Sequence, residues 1–395
     1  MTDAPTIISA DDHVIEPPDL WQSRLPQRLR AEGPRVVEHP RDAASYDKGA
    51  NSWRLHGDGT APPAAFWHYE DKIKPMQRNE ASAGFEASSI DMTPVSFEEI
   101  RPGCWQPAAR LEDMTINGIA ASMCFPNYPR FSGQLFSEGR DRELGLACIR
   151  AYNDWMVEEW CGDSGGRLIP LCIIPLWDAE LAAAEVRRNA ERGVRAVSFS
   201  EIPAWLGVPS IHSGFWDPFF RACDETQTVV AMHIGSGSRI ITSSDDAPFA
   251  VQAVMIFNNS ATSMVDFLCS GVLARFPDLK LFYAEAQIGW IPYVLERADD
   301  TFHRQRWLFP DNVDQPPSSY YHHRVFSCFF SDPVGIALLD RVGVDQVLFE
   351  TDYPHETGTW PSSESVARAE LGHLDPVDRD KILRANAVGL FGLSV

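Results

Sequence analysis

The sequence predicts an α/β protein, a (β/α)8 TIM barrel with a cap segment inserted after the first strand. Two observations predict this fold. Eight short apolar runs end in polar residues, and most of them are separated by helix-like segments. Apolar strands that alternate with helices indicate a parallel sheet covered by helices, and eight such units suit this barrel. The alternative is an open doubly wound sheet, but no G-x-G-x-x-G sequence follows the first strand.

The predicted strands and helices follow one another along the chain. The strands are residues 7–13, 119–125, 168–174, 194–200, 228–234, 279–285, 325–330 and 346–351. The helices include residues 140–160, 178–192, 216–226, 260–276, 292–309 and 333–342. The sequences RFPDLK and ERGVR are typical of turns from a helix to a strand, with Pro or Gly ending the helix.

Residues 14–111 interrupt this alternation. The segment is too long for one βα unit and is rich in Pro, Asp, Gly and Trp. Within it, PRVVEH and NSWRLHG are predicted to pair as a short β-hairpin. We therefore expect a cap over the mouth of the barrel, inside a single domain of residues 1–395.

The composition excludes several classes of function. A hydrophobic fraction of 44% describes a folded protein with a large core. The net charge of -21 argues against nucleic acid or an anionic membrane as a partner, because both need a basic face. No stretch is long and apolar enough to span a bilayer, and no signal peptide is evident. The eight cysteines form no CxxC pair, which predicts reduced core cysteines in a cytoplasmic protein.

His and carboxylate residues stand at the ends of five predicted strands. They are Asp11 and His13 on the first strand, Glu201 on the fourth, His233 on the fifth, Glu285 on the sixth and Asp352 on the eighth. In a TIM barrel these strand ends share one rim, where the catalytic groups lie. Alternation along a strand points Asp11 and His13 to the same side. Each residue alone fits a structural His, a helix cap or a turn cap, but together they predict a metal site.

The kinds of side chain in this set favour particular metals. Two imidazoles and four carboxylates are the ligands of di-iron and di-manganese carboxylate proteins. Hard oxygen donors with a minority of imidazoles suit iron or manganese better than zinc. In this interpretation Glu201 bridges two metal ions from the middle of the rim.

Four further residues are candidates for the same site. His355, three residues after Asp352, is a candidate ligand or a hydrogen-bond donor to a ligating carboxylate, and the alternative is a role in the loop. Arg239 follows the backbone N–H groups of GSGS, which suit a phosphate or carboxylate, and the alternative is a flexible loop. His212 and Trp290 are candidates for substrate binding, with a surface His and a core Trp as the alternatives.

Taken together, these residues resemble the amidohydrolase-like TIM barrels over essentially the whole chain. That superfamily carries an acidic residue or His before a His on strand one, Lys or Glu on strand four, His on strands five and six, and Asp on strand eight. The matching residues are Asp11, His13, Glu201, His233 and Asp352. GRLIPLCIIPLWD, HSGFWDPFFRACDE and TDYPH look like the amidohydrolase family 2 branch with metal-dependent decarboxylases of aromatic acids. Strand six departs from that branch, because Glu285 stands where those enzymes have their acid/base His.

A finer resemblance points to oxygen chemistry. SADDHVIEPPDLW, FSEIPAWLGVPSIH, AEAQIGWIPYVLER and TDYPHETGTWP are similar to a sub-branch of nonheme diiron monooxygenases in antibiotic biosynthesis. This resemblance implies hydroxylation of an unactivated C–H bond in a bulky apolar diterpenoid carried as a CoA thioester, with Glu201 and Glu285 as catalytic residues. It implies two Fe ions (Fe2+/Fe3+) and O2 as co-substrate. A redox partner must supply electrons, because no flavin or nicotinamide fingerprint is present. We also expect a homodimer.

A smaller set of the same residues supports a different enzyme. Asp11, His13, His233 and Asp352 suffice for one metal ion that activates water. The alternative function is therefore a mononuclear metal-dependent hydrolase or nonoxidative decarboxylase, which would turn over its substrate without O2 or a reductant. A third alternative is a barrel without catalysis that serves as a binding module, and such a barrel would bind no metal.

Overall fold

The structure is a computed structural model of the chain that describes residues 6–47, 52–244 and 246–394. Residues 1–5, 48–51, 245 and 395 lie outside the described part. They include both ends of the predicted domain and a short piece of the predicted cap, so the single-domain organisation stays a prediction.

The strands of the described part form one barrel and two small antiparallel sheets. They are β1 (Ile7–Val14), β2 (Arg35–Pro40), β3 (Ala44–Asp47), β4 (Ser52–Leu55), β5 (Pro63–Tyr69), β6 (Lys72–Pro75), β7 (Ile119–Pro126), β8 (Leu168–Ile169), β9 (Leu171–Cys172), β10 (Ala196–Ser198), β11 (Val229–His233), β12 (Leu281–Ala284), β13 (Val325–Phe329) and β14 (Val347–Phe349).

The barrel strands run parallel in the order β1-β7-β8 and β9-β10-β11-β12-β13-β14. Pro170 separates β8 from β9, because it has no N–H group to donate to a ladder. The ends of the sheet are joined where the Asp352 N–H donates to the Asp11 carbonyl at 3.0 Å and the His13 N–H to the Tyr353 carbonyl at 2.6 Å. The predicted (β/α)8 barrel is confirmed.

Helices cover the outside of the barrel. They are α1 (Leu20–Arg24), α2 (Pro107–Ile116), α3 (Gln134–Ser137), α4 (Arg142–Trp155), α5 (Ala179–Ala190), α6 (Asp217–Thr226), α7 (Phe249–Met255), α8 (Asn258–Cys269), α9 (Val272–Arg275), α10 (Ile291–Arg304), α11 (Pro317–Tyr321), α12 (Pro333–Ala337), α13 (Leu339–Val342), α14 (Ser363–Leu371), α15 (Pro376–Asp380) and α16 (Asn386–Phe391). Asp141 caps α4 by accepting hydrogen bonds from the N–H groups of Glu143 and Leu144. The predicted helix 260–276 is divided at Gly271, whose φ of 76° suits glycine.

The core has an inner and an outer part. Alternate residues of the strands, such as Ile8, Met123 and Leu171, fill the barrel interior. Phe391 of α16 meets Phe282 edge to face, with ring centroids 5.8 Å apart, and closes the N-terminal end of the barrel. The opposite end, where the strands finish, is therefore left for the site.

The cap contains the two antiparallel sheets, β2-β5-β6 and β3-β4. The predicted pairing of PRVVEH with NSWRLHG is wrong: β2 pairs with β5, and β4 pairs with β3, so that Tyr46 faces Trp53. β3 and β4 are close in sequence, and the shorter connection costs less loop-closure entropy. The N–H and hydroxyl groups of Ser82 both donate to the Pro354 carbonyl, at 2.7 and 2.9 Å, and tie the cap to the barrel.

The structure also bears on the predictions about the cysteines and about membrane-spanning segments. All eight cysteines are free in the structure, and six of them are buried in the core, while their reduced state stays a prediction. Within the described ranges, every helix is too short or too polar to cross a membrane.

Candidate metal centre

Four buried side chains converge at the ends of β1, β11 and β14. Nε2 of His13 lies 3.3 Å from Oδ1 of Asp352 and 3.8 Å from Oδ1 of Asp11. Nε2 of His233 lies 3.4 Å from Oδ2 of Asp11 and 3.2 Å from Nε2 of His13. The barrel thus brings two imidazole nitrogens and two carboxylates to one point, as the strand-end pattern predicts.

The hydrogen bonding of this group fits a bound cation. Both carboxylate oxygens of Asp11 are buried and accept no hydrogen bond from any described residue. Such a buried carboxylate is costly without a positive partner. Nδ1 of His233 lies 2.7 Å from the Ile234 carbonyl, which holds the proton on Nδ1 and leaves the Nε2 lone pair facing the centre. The residues therefore fit a divalent metal ion with mixed oxygen and nitrogen ligands.

The electrostatics of the group agree with this interpretation. Burial lowers the pKa of His13 well below its usual value and that of His233 to about 4, so both rings are neutral and able to bind a metal. Burial, followed by the charges of Glu350, Asp352 and Glu285, raises the pKa of Asp11 well above its usual value. A metal ion would relieve this repulsion between carboxylates.

His355 joins the group from the loop after β14. Its ring stacks on that of His13, with centroids 3.6 Å apart and 21° between the planes. Its Nδ1 lies 3.1 Å from Oδ1 of Asp352, while its Nε2 lies 3.4 Å from Nδ2 of Asn127. This position is close enough to Asp352 for either a metal ligand or a hydrogen-bond donor to a ligating carboxylate, and both roles stay predictions.

Glu285 and Asp352 are held by unusual backbone geometry. Their φ angles are 53° and 50°, in the left-handed region that residues other than glycine rarely adopt. Non-glycine residues in this region cluster at active sites, because the surrounding structure must hold them there. Oε2 of Glu285 lies 3.3 Å from Nε2 of His233, so the turn after β12 brings this carboxylate to the centre.

Glu201 is held in a different way. Its Oε1 accepts hydrogen bonds from the Gly235 N–H at 2.9 Å and from Nδ2 of Asn259 at 3.2 Å. Its Oε2 accepts one from the hydroxyl of Ser260 at 3.1 Å. Burial raises the pKa of Glu201 to about 7. The ligand atoms of Asp11, His13 and His233 lie within 4.8 Å of one another, as do those of His13, Asp352 and His355, and the predicted role of Glu201 as a ligand stays a prediction.

The three predicted substrate-binding residues have contacts of their own. His212 is exposed, and its Nε2 lies 2.9 Å from Oδ1 of Asp266. Arg239 is exposed, and Trp290 donates from Nε1 to the Ala286 carbonyl at 2.7 Å. None of the three lines the cavity beside the centre in the described residues, so their roles in substrate binding stay predictions.

Two residues outside the predicted set belong to the site. Glu350 is buried beside Asp11, and its Oε2 accepts hydrogen bonds from the Cys328 thiol at 2.6 Å and from the Glu285 N–H at 3.0 Å. Burial raises the pKa of Glu350 to about 8. Asn127 is the first residue after β7, so the strand-end rule that found His233 would also have found Asn127.

A cavity of about 920 Å³ opens above the centre. Glu285 and His355 form part of its wall next to the candidate ligands. Lys74 of the cap also lines it, and its Nζ lies 3.4 Å from Oδ1 of Asn127 and 2.8 Å from Oε1 of Glu80. The barrel therefore supplies the candidate metal ligands, and the cap supplies part of the cavity wall and the ammonium group of Lys74.

Comparison with known proteins identifies the family to which this chain belongs. A model of the amidohydrolase family (Amidohydro_2) matches residues 62–393. The chain belongs to the amidohydrolase family. It is 25% identical over 314 residues to the gamma-resorcylate decarboxylase of Rhizobium sp. (strain MTP-10005), over 72% of this chain and 86% of the relative.

Solved structures share the fold of this amidohydrolase. An amidohydrolase from Mycobacterium avium subsp. paratuberculosis K-10 matches with a TM-score of 0.71 at 21% identity, over 99% of this chain and 100% of the other. The 5-carboxyvanillate decarboxylase from Novosphingobium aromaticivorans DSM 12444, complexed with manganese and 4-hydroxy-3-methoxy-5-nitrobenzoic acid, matches with a TM-score of 0.65 at 17% identity over both whole chains.

The comparisons correct the predicted chemistry. The finer resemblance, to the nonheme diiron monooxygenase of platensimycin and platencin biosynthesis, is not shown, because the relatives found by sequence are gamma-resorcylate decarboxylases and one of the similar solved structures is a 2,6-dihydroxybenzoate decarboxylase. The prediction of a monooxygenase, and with it of an oxidoreductase in antibiotic biosynthesis, is wrong. The prediction of two Fe ions with O2 and an external electron donor is also wrong, because related decarboxylase structures contain manganese and loss of CO2 consumes neither O2 nor electrons. The predicted bridging of two irons by Glu201 depends on this pair of ions and is therefore wrong as well.

Proposed function

We propose that this amidohydrolase is a metal-dependent nonoxidative decarboxylase of an aromatic carboxylic acid. The observation that carries the proposal is the convergence of Asp11, His13, His233 and Asp352, next to Glu285 and His355 in the wall of a cavity large enough for such a substrate. The similarity to gamma-resorcylate decarboxylases supports the choice of reaction.

The metal would be held by the two imidazole nitrogens and the carboxylates of Asp11 and Asp352. A divalent ion such as the manganese of the related structures suits this set of oxygen and nitrogen donors. When bound, it would supply Lewis-acid chemistry that polarises and orients oxygen atoms of the substrate.

The reaction needs a proton at the ring carbon that carries the carboxylate. That carbon takes the proton, the bond to the carboxylate carbon breaks, and the electron pair of this bond returns to the ring as CO2 leaves. Glu285 lines the cavity next to His233, and we assign to its carboxyl group the delivery of this proton. In the resembling decarboxylases a His takes this position, and both side chains can carry a proton.

The cavity also offers a positive group to the negatively charged substrate. A carboxylate must enter a protein with a net charge of -21, so it needs local positive groups. Lys74 is one such group, since an ammonium has three N–H donors and two of them are directed at Glu80 and Asn127. The third is available to the substrate.

The experiment is an anaerobic assay of CO2 release from a panel of hydroxybenzoic acids, without a reductant and with manganese supplied. CO2 release by the parent protein and its loss in Asp11→Asn support the proposal. The matched control is Asp246→Asn, because Asp246 is an exposed carboxylate on a surface loop. The absence of CO2 release from every acid by a metal-loaded protein would overturn the proposal.

A further inference from the structure

One wall of the cavity lies outside the part of the chain that the family model matches. The hairpin of β3 and β4 precedes residue 62, where the match begins, yet Tyr46 and Trp53 of this hairpin line the cavity. Their rings face each other across the two strands, with centroids 5.6 Å apart and 53° between the planes. The hairpin contacts the rest of the cap through β6. Its two aromatic rings therefore form part of the wall of the cavity.

Apolar and aromatic side chains also line the cavity beyond the hairpin, together with polar ones. The apolar and aromatic residues that line it are Tyr46, Trp53, Ile73, Met92, Tyr128, Phe131 and Leu135. Tyr128 and Phe131 follow β7, and the Phe131 ring stacks on that of His233, with centroids 3.9 Å apart. Apolar side chains therefore line the cavity both beside the metal centre and at the hairpin.

The cations beside the hairpin are paired with carboxylates. Arg54 lies 3.0 Å from Asp47, and Lys72 lies 3.7 Å from Glu70. Because these charges are balanced within the cap, this end of the cavity favours an uncharged group over a second anion. Burial of apolar surface against the aromatic pair is then the main source of affinity there.

The size of the cavity agrees with an extended ligand. Its volume of about 920 Å³ is near the upper end of the range, about 300–1,000 Å³, of pockets that take drug-sized molecules. Such pockets bury most of the surface of their ligand. An acid with a single ring bound at the metal centre would leave Trp53 out of contact with the substrate.

We infer that the substrate is an aromatic carboxylic acid with a second, uncharged apolar ring system that packs against Trp53. This inference rests on the proposed function, which places the carboxylate at the metal centre. Trp53 is then a residue that determines specificity, contributed by a hairpin that precedes the matched family region.

The test compares two acids that differ only in the second ring, 2-hydroxybenzoic acid and 2-hydroxy-4-phenylbenzoic acid. Binding to the purified, metal-loaded protein is measured by isothermal titration calorimetry, a readout that does not need turnover. We expect the two-ring acid to bind at least about tenfold more tightly than the one-ring acid. In Trp53→Ala this advantage should disappear while the affinity for the one-ring acid stays the same.

Trp307→Ala is the matched control, because Trp307 is 80% exposed and does not line the described cavity. It should keep the advantage of the two-ring acid. Trp53→Phe retains an aromatic ring and should keep most of it, which serves as the decisive variant if Trp53→Ala does not fold. Equal binding of the two acids, no binding of the two-ring acid, or an equal loss for both acids in the Trp53 variants overturns the inference.

The two proposals fail in different ways. A two-ring acid that binds more tightly through Trp53 but releases no CO2 contradicts the decarboxylase and leaves the assignment of the pocket intact. CO2 release from both acids, with equal affinities that do not depend on Trp53, contradicts the assignment of the pocket and leaves the decarboxylase intact.

Discussion

At the scale of single residues, the positions of the candidate ligands follow from where each one stands on its strand. Asp11 and His13 share one side of β1 because side chains alternate along a strand, and His233 and Asp352 follow from the shared rim of a TIM barrel. The left-handed backbone of Glu285 and Asp352 could not be predicted, because it depends on how the barrel holds each turn.

The surroundings of Glu201 show what a list of residue types leaves out. Both oxygens of Glu201 accept hydrogen bonds from neighbouring groups, two of them, Asn259 and Ser260, on α8. These partners lie more than fifty positions further along the chain, and no local pattern relates them to Glu201. Their contacts with Glu201 could therefore not be predicted from the sequence.

Glu285 is the residue whose substitution tests the assignment of the proton donor. In Glu285→Gln the side chain keeps its size but cannot deliver a proton, so kcat should fall about 100-fold or more while the metal content stays the same. Glu285→His should recover part of the activity, because an imidazole can donate a proton. The measurements are steady-state CO2 release and metal analysis.

Two outcomes would contradict this assignment. Full activity of Glu285→Gln would show that another group supplies the proton. Loss of the metal in the same variant would identify Glu285 as a ligand, as the sequence predicts.

The buried carboxyl group of Glu16 should make the stability of the protein depend on pH. Its buried carboxylate accepts hydrogen bonds from the N–H groups of Asn127 and Tyr128 at 2.9 Å. Burial raises its pKa from 4.5 to about 7. Because the folded state holds this proton more tightly, the contribution of Glu16 to stability is greatest below pH 4.5 and is lost as pH rises through 7, by about 3 kcal/mol in order of magnitude.

The measurement is the melting temperature between pH 5 and pH 8 for the parent and for Glu16→Gln. The parent should lose more stability over this range than the variant, whose amide does not titrate. Parallel curves would show that Glu16 does not contribute to the pH dependence. The comparison uses the difference between slopes, so a lower starting stability of the variant does not affect it.

At the scale of elements, barrel strands were predicted more accurately than the cap. Each predicted barrel strand is present, because a run of buried apolar residues between turn signals defines a strand locally. Pro170 divides the third run into β8 and β9 for a reason that is visible in the sequence. The cap strands were mispaired, because pairing in a short exposed hairpin depends on which neighbour packs beneath it.

The N-cap residue of α4, Asp141, gives a testable prediction about the stability of one helix. Asp141 accepts hydrogen bonds from the N–H groups of Glu143 at 2.9 Å and Leu144 at 3.1 Å, at the start of α4. Asp141→Ala should lower the free energy of unfolding by about 1 kcal/mol, as measured by urea denaturation. Asp141→Asn keeps the acceptor and should lose much less. Equal losses in both variants would mean that the charge, and not the cap, matters.

At the scale of the whole molecule, the fold could be derived and the chemistry only in part. The barrel places the ends of its strands on one rim, so any chain with this fold brings such residues together. Fold alone does not select a reaction, and the same rim suits hydrolysis, decarboxylation or oxidation. The cytoplasmic location, the homodimer and a CoA-linked substrate stay predictions.

Removal of the metal should affect the whole molecule. Without a cation, the buried carboxylate of Asp11 keeps its unfavourable environment, so treatment with a chelator should lower the melting temperature as well as the activity. Added Mn2+ at 100 times its dissociation constant should restore about 2.7 kcal/mol of stability. In Asp11→Asn, Mn2+ should raise the melting temperature much less. An unchanged melting temperature on removal of a bound metal would contradict this account of the centre.

The most direct test of the decarboxylase is the reaction run in D2O under nitrogen. An aromatic acid that this protein converts is incubated with the metal-loaded enzyme, and the product is examined by NMR while CO2 is measured. The account predicts one CO2 for each product molecule and one deuterium at the ring carbon that carried the carboxylate, because the proton delivered there comes from an exchangeable group. A product that keeps its carboxylate, or one that gains oxygen only when O2 is admitted, would contradict it.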